Sequence, residues 1–126
     1  MKIVTDKVVD ASALAAIVFN EARREAIERR LVDVTMIAPP LLSYEMASVC
    51  LKKMRAHPGE TLTLIDALGA FERIPIIVHN VDLAATIVLA QDKSLSFYDA
   101  SYLWLARSLG CELVTLDVDL QKAFDG

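Results

Sequence analysis

Four acidic residues stand where solubility alone does not explain them. They are Asp10 in "KVVDASAL", Glu45 in "PPLLSYEMASVCL", Asp99 in "FYDASYLWLA" and Asp117 in "ELVTLDVDLQ". Asp10 and Asp117 end apolar runs that otherwise read as buried strands, Val8-Val9 in one case and Leu113, Val114 and Leu116 in the other. Glu45 shares a helical stripe with Leu41, Leu42, Ser48 and Val49, which turns its carboxylate toward the core side. An unpaired charge there is costly, so it needs a partner: a shared cation, or an Arg such as Arg107. Four crowded carboxylates would raise one another's pKa values, and a divalent cation removes that penalty. Mg2+ or Mn2+ suits an all-carboxylate donor set, and no His or Cys cluster competes for zinc. Magnesium held by Asp and Glu alone usually works on phosphates, where it activates water and stabilises the transition state.

Helix capping offers a plainer account of the same residues. Asp is a preferred N-cap, so Asp10 would cap "ASALAAIV" and Asp117 would cap "VDLQKAF". Ser96 and Asp99 have the spacing of a capping box. The two accounts are compatible, because an acid at a helix N-terminus can both cap and hold a metal.

The elements that would position these acids alternate. Strand patterns cover residues 4–9, 34–38 and 75–79 and a run from Glu112; helical patterns cover 11–19, 21–32, 41–55, 60–74, 81–92 and 97–110. "VDLQKAF" supplies a last helical turn or two. Strands separated by helices predict an α/β fold: one domain over residues 1–126, a three-layer α/β/α sandwich around a central, mostly parallel sheet of four to five short strands. In such sheets ligands bind beyond the carboxyl ends of the strands, where Asp10 and Asp117 fall.

The bulk composition agrees. The chain has 126 residues, 55% of them hydrophobic, and a mean hydropathy of +0.42, enough for a real core. A net charge of −4 excludes a DNA-wrapping module but not a nucleic-acid substrate, since a bound cation reverses the local sign. No apolar run approaches the roughly 18 residues of a membrane span. The opening "MKIVTDKVVD" is broken by Asp6 and Lys7, so no membrane contact and a cytoplasmic location are expected. Cys50 and Cys111 read as reduced, buried thiols.

At these residues the sequence resembles the PIN-domain family, and more narrowly the VapC-type toxin ribonucleases. "VVDASAL" resembles the first block, with Asp10 and Ser12. "YEMASVCLKK" resembles the second, with Glu45 and with Ser48 where relatives often carry Asn. "FYDASYLWLA" resembles the third, with Asp99, and "LVTLDVDL" the fourth, with Thr115 and Asp117. Four blocks in order over nearly the whole chain make the likeness specific. The resemblance implies a metal-dependent endoribonuclease with one or two Mg2+ or Mn2+ ions, leaving 5′-phosphate and 3′-hydroxyl ends. Asp10, Glu45 and Asp99 would be core ligands and Asp117 would complete the pocket. Ser12, Ser48 and Thr115 would support them, and Asp119 is a supporting or alternate acid that a helical turn could bring back towards the site, the plainer reading being a solvated acid of the first turn. An RNA substrate, an antitoxin partner and a homodimer are implied too. Relatives usually add a further short strand after "KAFDG".

Other residues read as scaffold. Arg23, Arg24, Arg29 and Arg30 on one helix, partnered by Glu21, Glu25 and Glu28, and Lys52, Lys53 and Arg55 on another read as solvated faces, although RNA phosphates are the alternative. Tyr98, Tyr102 and Trp104 sit at helical spacing and read as packing, with stacking on bases the alternative; His57 reads as a helix-end residue, and His79 as structural, although it follows a strand and could approach the site. "TLTLIDALGAF" carries more apolar faces than one core contact needs, as a partner surface would. A receiver domain would want an acidic pair after the first strand and an Asp after the third, and "PIIVHN" lacks that Asp. A haloacid-dehalogenase site at "LDVDL" would need a long chain after it. A non-catalytic interaction module whose acids only cap helices is the remaining alternative.

Overall fold

The computed structural model describes residues 3–126. Four strands, β1 (Thr5–Val9), β2 (Val34–Ala38), β3 (Ile76–Val78) and β4 (Glu112–Val114), form one sheet in the order β3-β2-β1-β4. Every pairing is parallel. The helices are α1 (Ala11–Val18), α2 (Arg24–Arg30), α3 (Leu42–Ala56), α4 (Thr61–Glu72), α5 (Leu83–Lys93), α6 (Phe97–Leu109) and α7 (Val118–Asp125). They flank the sheet as the outer layers of an α/β/α sandwich. The expected fold class therefore holds, with four strands among the described residues and no antiparallel pair.

Local chemistry sets the helix ends. Asp10, Asp82, Ser96 and Asp117 each take extended backbone and accept from the backbone N–H three residues on, which supplies one of the orphan donors of the first turn. Pro39 and Pro40 end β2, and α3 starts at Leu42, whose N–H donates to Pro39 O. Gly110 closes α6 at φ 64°, the left-handed turn that glycine takes without strain. The second helix is shorter than its pattern, Arg24–Arg30 instead of 21–32. Asn20 and Asp33, at φ 52° and 56°, turn the chain on either side of it.

The core lies where β1 and β4 meet α1 and α6. Val8, Val9, Leu113 and Val114 are fully buried, as are Leu14, Leu103 and Leu105 or nearly so. Each such side chain contributes about 1.5–3 kcal/mol of transfer free energy. This apolar block fixes the carboxyl ends of β1 and β4 side by side, through the Val9–Val114 register and the bond from Asp10 N to Val114 O. Asp10 and the segment bearing Asp117 thus emerge from neighbouring strands. On the outside, Lys7 donates to Arg30 O and pairs with Glu112, which Arg30 also engages, so α2 is tied across β1 to β4. No helix among the described residues is long and apolar enough to cross a membrane.

Candidate active site

Asp10, Glu45, Asp99 and Asp117 line a single cavity of about 300 Å3, together with Ser12, Ser48, Lys52 and Tyr102. Four elements deliver one acid each: the β1–α1 junction, α3, α6 and the β4–α7 junction.

Asp10 is the most enclosed of them, at 5% exposure. Both of its oxygens are held. Oδ1 accepts from Ala13 N at 3.0 Å and from Ser12 Oγ at 2.7 Å, and Oδ2 accepts from Thr115 Oγ1. The two hydroxyls are themselves fixed by backbone donors. Leu116 N donates to Ser12 Oγ at 2.9 Å, and Asp117 N donates to Thr115 Oγ1 at 3.0 Å. The loop after β4 therefore orients the hydroxyls that orient Asp10. Burial pushes the Asp10 pKa up; the bonds from Thr115, Ala13 and Ser12 oppose this, and nearby Asp117 adds to it.

Asp117 caps α7 by accepting from Leu120 N at 2.9 Å, and it also lines the cavity. Asp99 follows its cap Ser96, whose Oγ accepts from Asp99 N, and its carboxylate faces the acids. Burial raises its pKa first, then the charges of Asp117 and Asp10. Capping and a place in the acidic cluster coincide at Asp10 and Asp117, as the sequence allowed.

Glu45 is held by a residue whose spacing suggested packing. The buried Tyr102 hydroxyl donates to Glu45 Oε1 at 2.6 Å. Arg107, the cationic partner considered for it, instead donates to Ala123 O and Gly126 O at the end of the chain. Glu45 keeps a raised pKa, from burial first, with Tyr102 opposing and Asp10 and Asp99 adding. A signal for Tyr102 existed: it lies three residues after Asp99, on the same face of α6. In the sequence Lys52 reads as part of a solvated face, with RNA phosphates the alternative. It continues the stripe of Glu45, Ser48 and Val49 along α3 and brings a cation to the cavity wall.

Asp119 lies outside this cavity. It lines an adjoining one of about 490 Å3 with Lys93, Ser96, Asp99, Asp117 and Lys122. His79 is exposed near the far edge strand, bonded to its neighbour Asn80 O.

Among the described residues, no three Asp, Glu, His or Cys side chains converge as a ready-made metal cage. The donor set still suits a hard cation. Four carboxylates share one opening, three of them raised by burial and mutual repulsion. Mg2+ keeps several waters and takes only one or two carboxylates directly, so a roomy carboxylate-lined cavity fits it.

A family model described as PIN domain matches residues 7–125. The chain belongs to the PIN-domain family, on its VapC branch. It is 32% identical over 123 residues to Ribonuclease VapC3 of Pyrobaculum aerophilum, covering 93% of each chain. It is 29% identical over 119 residues to Ribonuclease VapC3 of Mycobacterium tuberculosis, covering 93% of this chain and 86% of the relative. Among solved structures, PAE2754 from Pyrobaculum aerophilum superposes with a TM-score of 0.77 at 25% identity, covering 100% of this chain and 90% of that one. VapC20 of Mycobacterium tuberculosis, a sarcin-ricin loop cleaving toxin, shares the fold at a TM-score of 0.64 and 16% identity, covering 93% and 94%.

Proposed function

We propose that this protein is an endoribonuclease, the toxin of a VapBC-type pair, which hydrolyses RNA phosphodiesters with the help of Mg2+ or Mn2+. The observation that carries this reading is the convergence of Asp10, Glu45, Asp99 and Asp117 on one cavity, with Asp10 clamped by two hydroxyls. The names of the two relatives, both ribonucleases, support it. Asp10, Glu45, Asp99 and Asp117 would hold one or two ions. A bound divalent ion supplies Lewis-acid activation of water and neutralises charge on the phosphate.

The chain's own groups do the rest. Ser12 and Thr115 keep the Asp10 carboxylate in one orientation, which a preorganised site requires. Tyr102 holds one oxygen of Glu45. Asp99 and Glu45 line the cavity beside Asp10 and Asp117, so they are placed to orient the attacking water. Lys52 stands at the wall, where an RNA phosphate would meet it.

An antitoxin and a second copy of the chain are the expected partners, in the cytoplasm. Exposed apolar side chains support protein partners: Leu62 and Ile65 on α4, Ile77 and Val78 on the edge strand β3, and Leu83, Ile87 and Val88 on α5. Incubation of total RNA with the wild type and with Asp99→Asn, each with Mg2+ or with EDTA, tests the activity. Cleavage by the wild type in Mg2+ alone is expected. Cleavage of equal rate in EDTA or by Asp99→Asn would reject the reading.

A further inference from the structure

We propose that the cavity between α2 and α7 seats a nucleotide flanking the cleaved bond of a single-stranded RNA. The inference rests on the ribonuclease reading and adds the place of the substrate strand. The cavity measures about 340 Å3; Asp117 lines both it and the acidic cavity, and Thr115, which also lines it, donates to Asp10. A strand with its phosphate at that centre passes directly into it.

The lining divides as a nucleotide does. One part is apolar: Ala26, Ile27, Leu116 and Val118. Val118 is 65% exposed at the first position of α7, a large apolar side chain that the core does not use. Such a surface suits the face of a base or ribose. The other part is basic: Arg23, Arg30 and Lys122. Arg24 and Arg29 on the same helix pair with Glu28 and Glu25, and Arg30 pairs with Glu112. Arg23 and Lys122 make no ion pair among the described residues. Lys122 also lines the cavity that holds Asp99 and Asp119, so it borders Asp117 on two sides. In a chain of net charge −4, two uncommitted cations beside a carboxylate cluster are suited to backbone phosphates. A single strand is required because the base must leave its stack to reach an apolar wall.

The test is amide NMR on 15N-labelled Asp99→Asn protein, which should leave RNA uncut. The probe is random-sequence single-stranded RNA of about twelve nucleotides, within the site sizes of single-strand binders. Shifts are expected at Ala26, Ile27, Val118 and Gln121. Adding Arg23→Gln and Lys122→Gln should weaken binding about tenfold, and should flatten the slope of log K against log salt by about 0.7 for each phosphate no longer neutralised. Adding Arg24→Gln and Arg29→Gln, an equal charge change, should leave binding as it was. Shifts confined to the surroundings of Ser12 and Ser48 would overturn the subsite and leave the acidic centre standing. Equal weakening by both pairs, or the same shifts from a polyglutamate peptide, would overturn it as charge alone. No shift anywhere would overturn the subsite, while the ribonuclease reading stands or falls on cleavage by the wild type.

Discussion

The Tyr102 hydroxyl, buried in α6, donates a 2.6 Å hydrogen bond to Oε1 of Glu45 on α3. The bond joins two helices across the floor of the acidic cavity. It also leaves Glu45 with one oxygen committed and one available. Tyr102→Phe removes the bond while keeping the ring. A charge-assisted bond contributes about 1.5–3 kcal/mol. The variant should lose stability in the lower part of that range, measured by urea unfolding, because Glu45 can recruit water in its place. Its Mn2+ affinity should fall about tenfold, as is usual when a partner that orients a ligand is removed. Unchanged Mn2+ affinity would show that Tyr102 serves packing alone.

Thr115 accepts from Asp117 N and donates to Asp10, so one hydroxyl serves two acids. Thr115→Val keeps the shape and strands a buried carboxylate oxygen and an amide. A loss of about 1–3 kcal/mol is expected in denaturant unfolding. RNA cleavage should fall between about tenfold and a hundredfold. A variant with wild-type stability and rate would mean that Asp10 needs no clamp.

The acidic cavity should make the metal-free protein prefer mild acid. Asp10, Glu45 and Asp99 all titrate above their ordinary values, chiefly through burial. The folded state therefore binds more protons than the unfolded one, and stability falls as pH rises from about 4, the ordinary carboxylate value, through the raised values. Glu112 works in the opposite sense. The bond from Arg30 lowers its pKa, so its contribution is lost only as pH drops below the ordinary value. Thermal melts in EDTA should give a higher Tm at pH 5.5 than at pH 8, and excess Mg2+ should narrow the gap. A Tm that rises steadily with pH in EDTA would contradict this.

Asp99→Asn should separate stability from function. It removes one of the mutually repelling charges and leaves the Ser96 cap in place. The expected metal-free protein melts higher than the wild type at pH 8 but does not cleave RNA. A lower melting temperature would show that the Asp99 charge stabilises the fold.

The main elements were legible because their signals are local. Val8-Val9 before Asp10 show strand propensity broken by an N-cap and occur as read; the run Leu113, Val114 and Leu116 leads to the cap Asp117 as read, but its strand ends earlier, at Val114. The ends of the second helix were not legible, because Asn20 and Asp33 take left-handed backbone that composition only permits. Asp10 and Asp117 are legible from strand ends, Glu45 from its apolar stripe and Asp99 from its place after Ser96 and the block it shares with relatives, and the structure places all four at one cavity. The groups that hold them were less visible. Ser12 and Thr115 lie 103 positions apart and meet only because β1 pairs with β4. The Tyr102–Glu45 bond spans 57 positions, and a buried Tyr on an apolar face gives no local hint of its hydroxyl partner. The exposed Asp119 lines the neighbouring cavity, because two residues along α7 from Asp117 turn it to a different face of the helix.

The central claim is that four carboxylates from four segments form one divalent-cation site. Calorimetric titration of Mn2+ into the wild type and into Asp99→Asn tests it most directly, with circular dichroism confirming that both are folded. The account predicts saturable heat from the wild type and its loss in the variant. Equal heats from the two proteins, or none from the wild type, would contradict it and reduce the acids to helix caps.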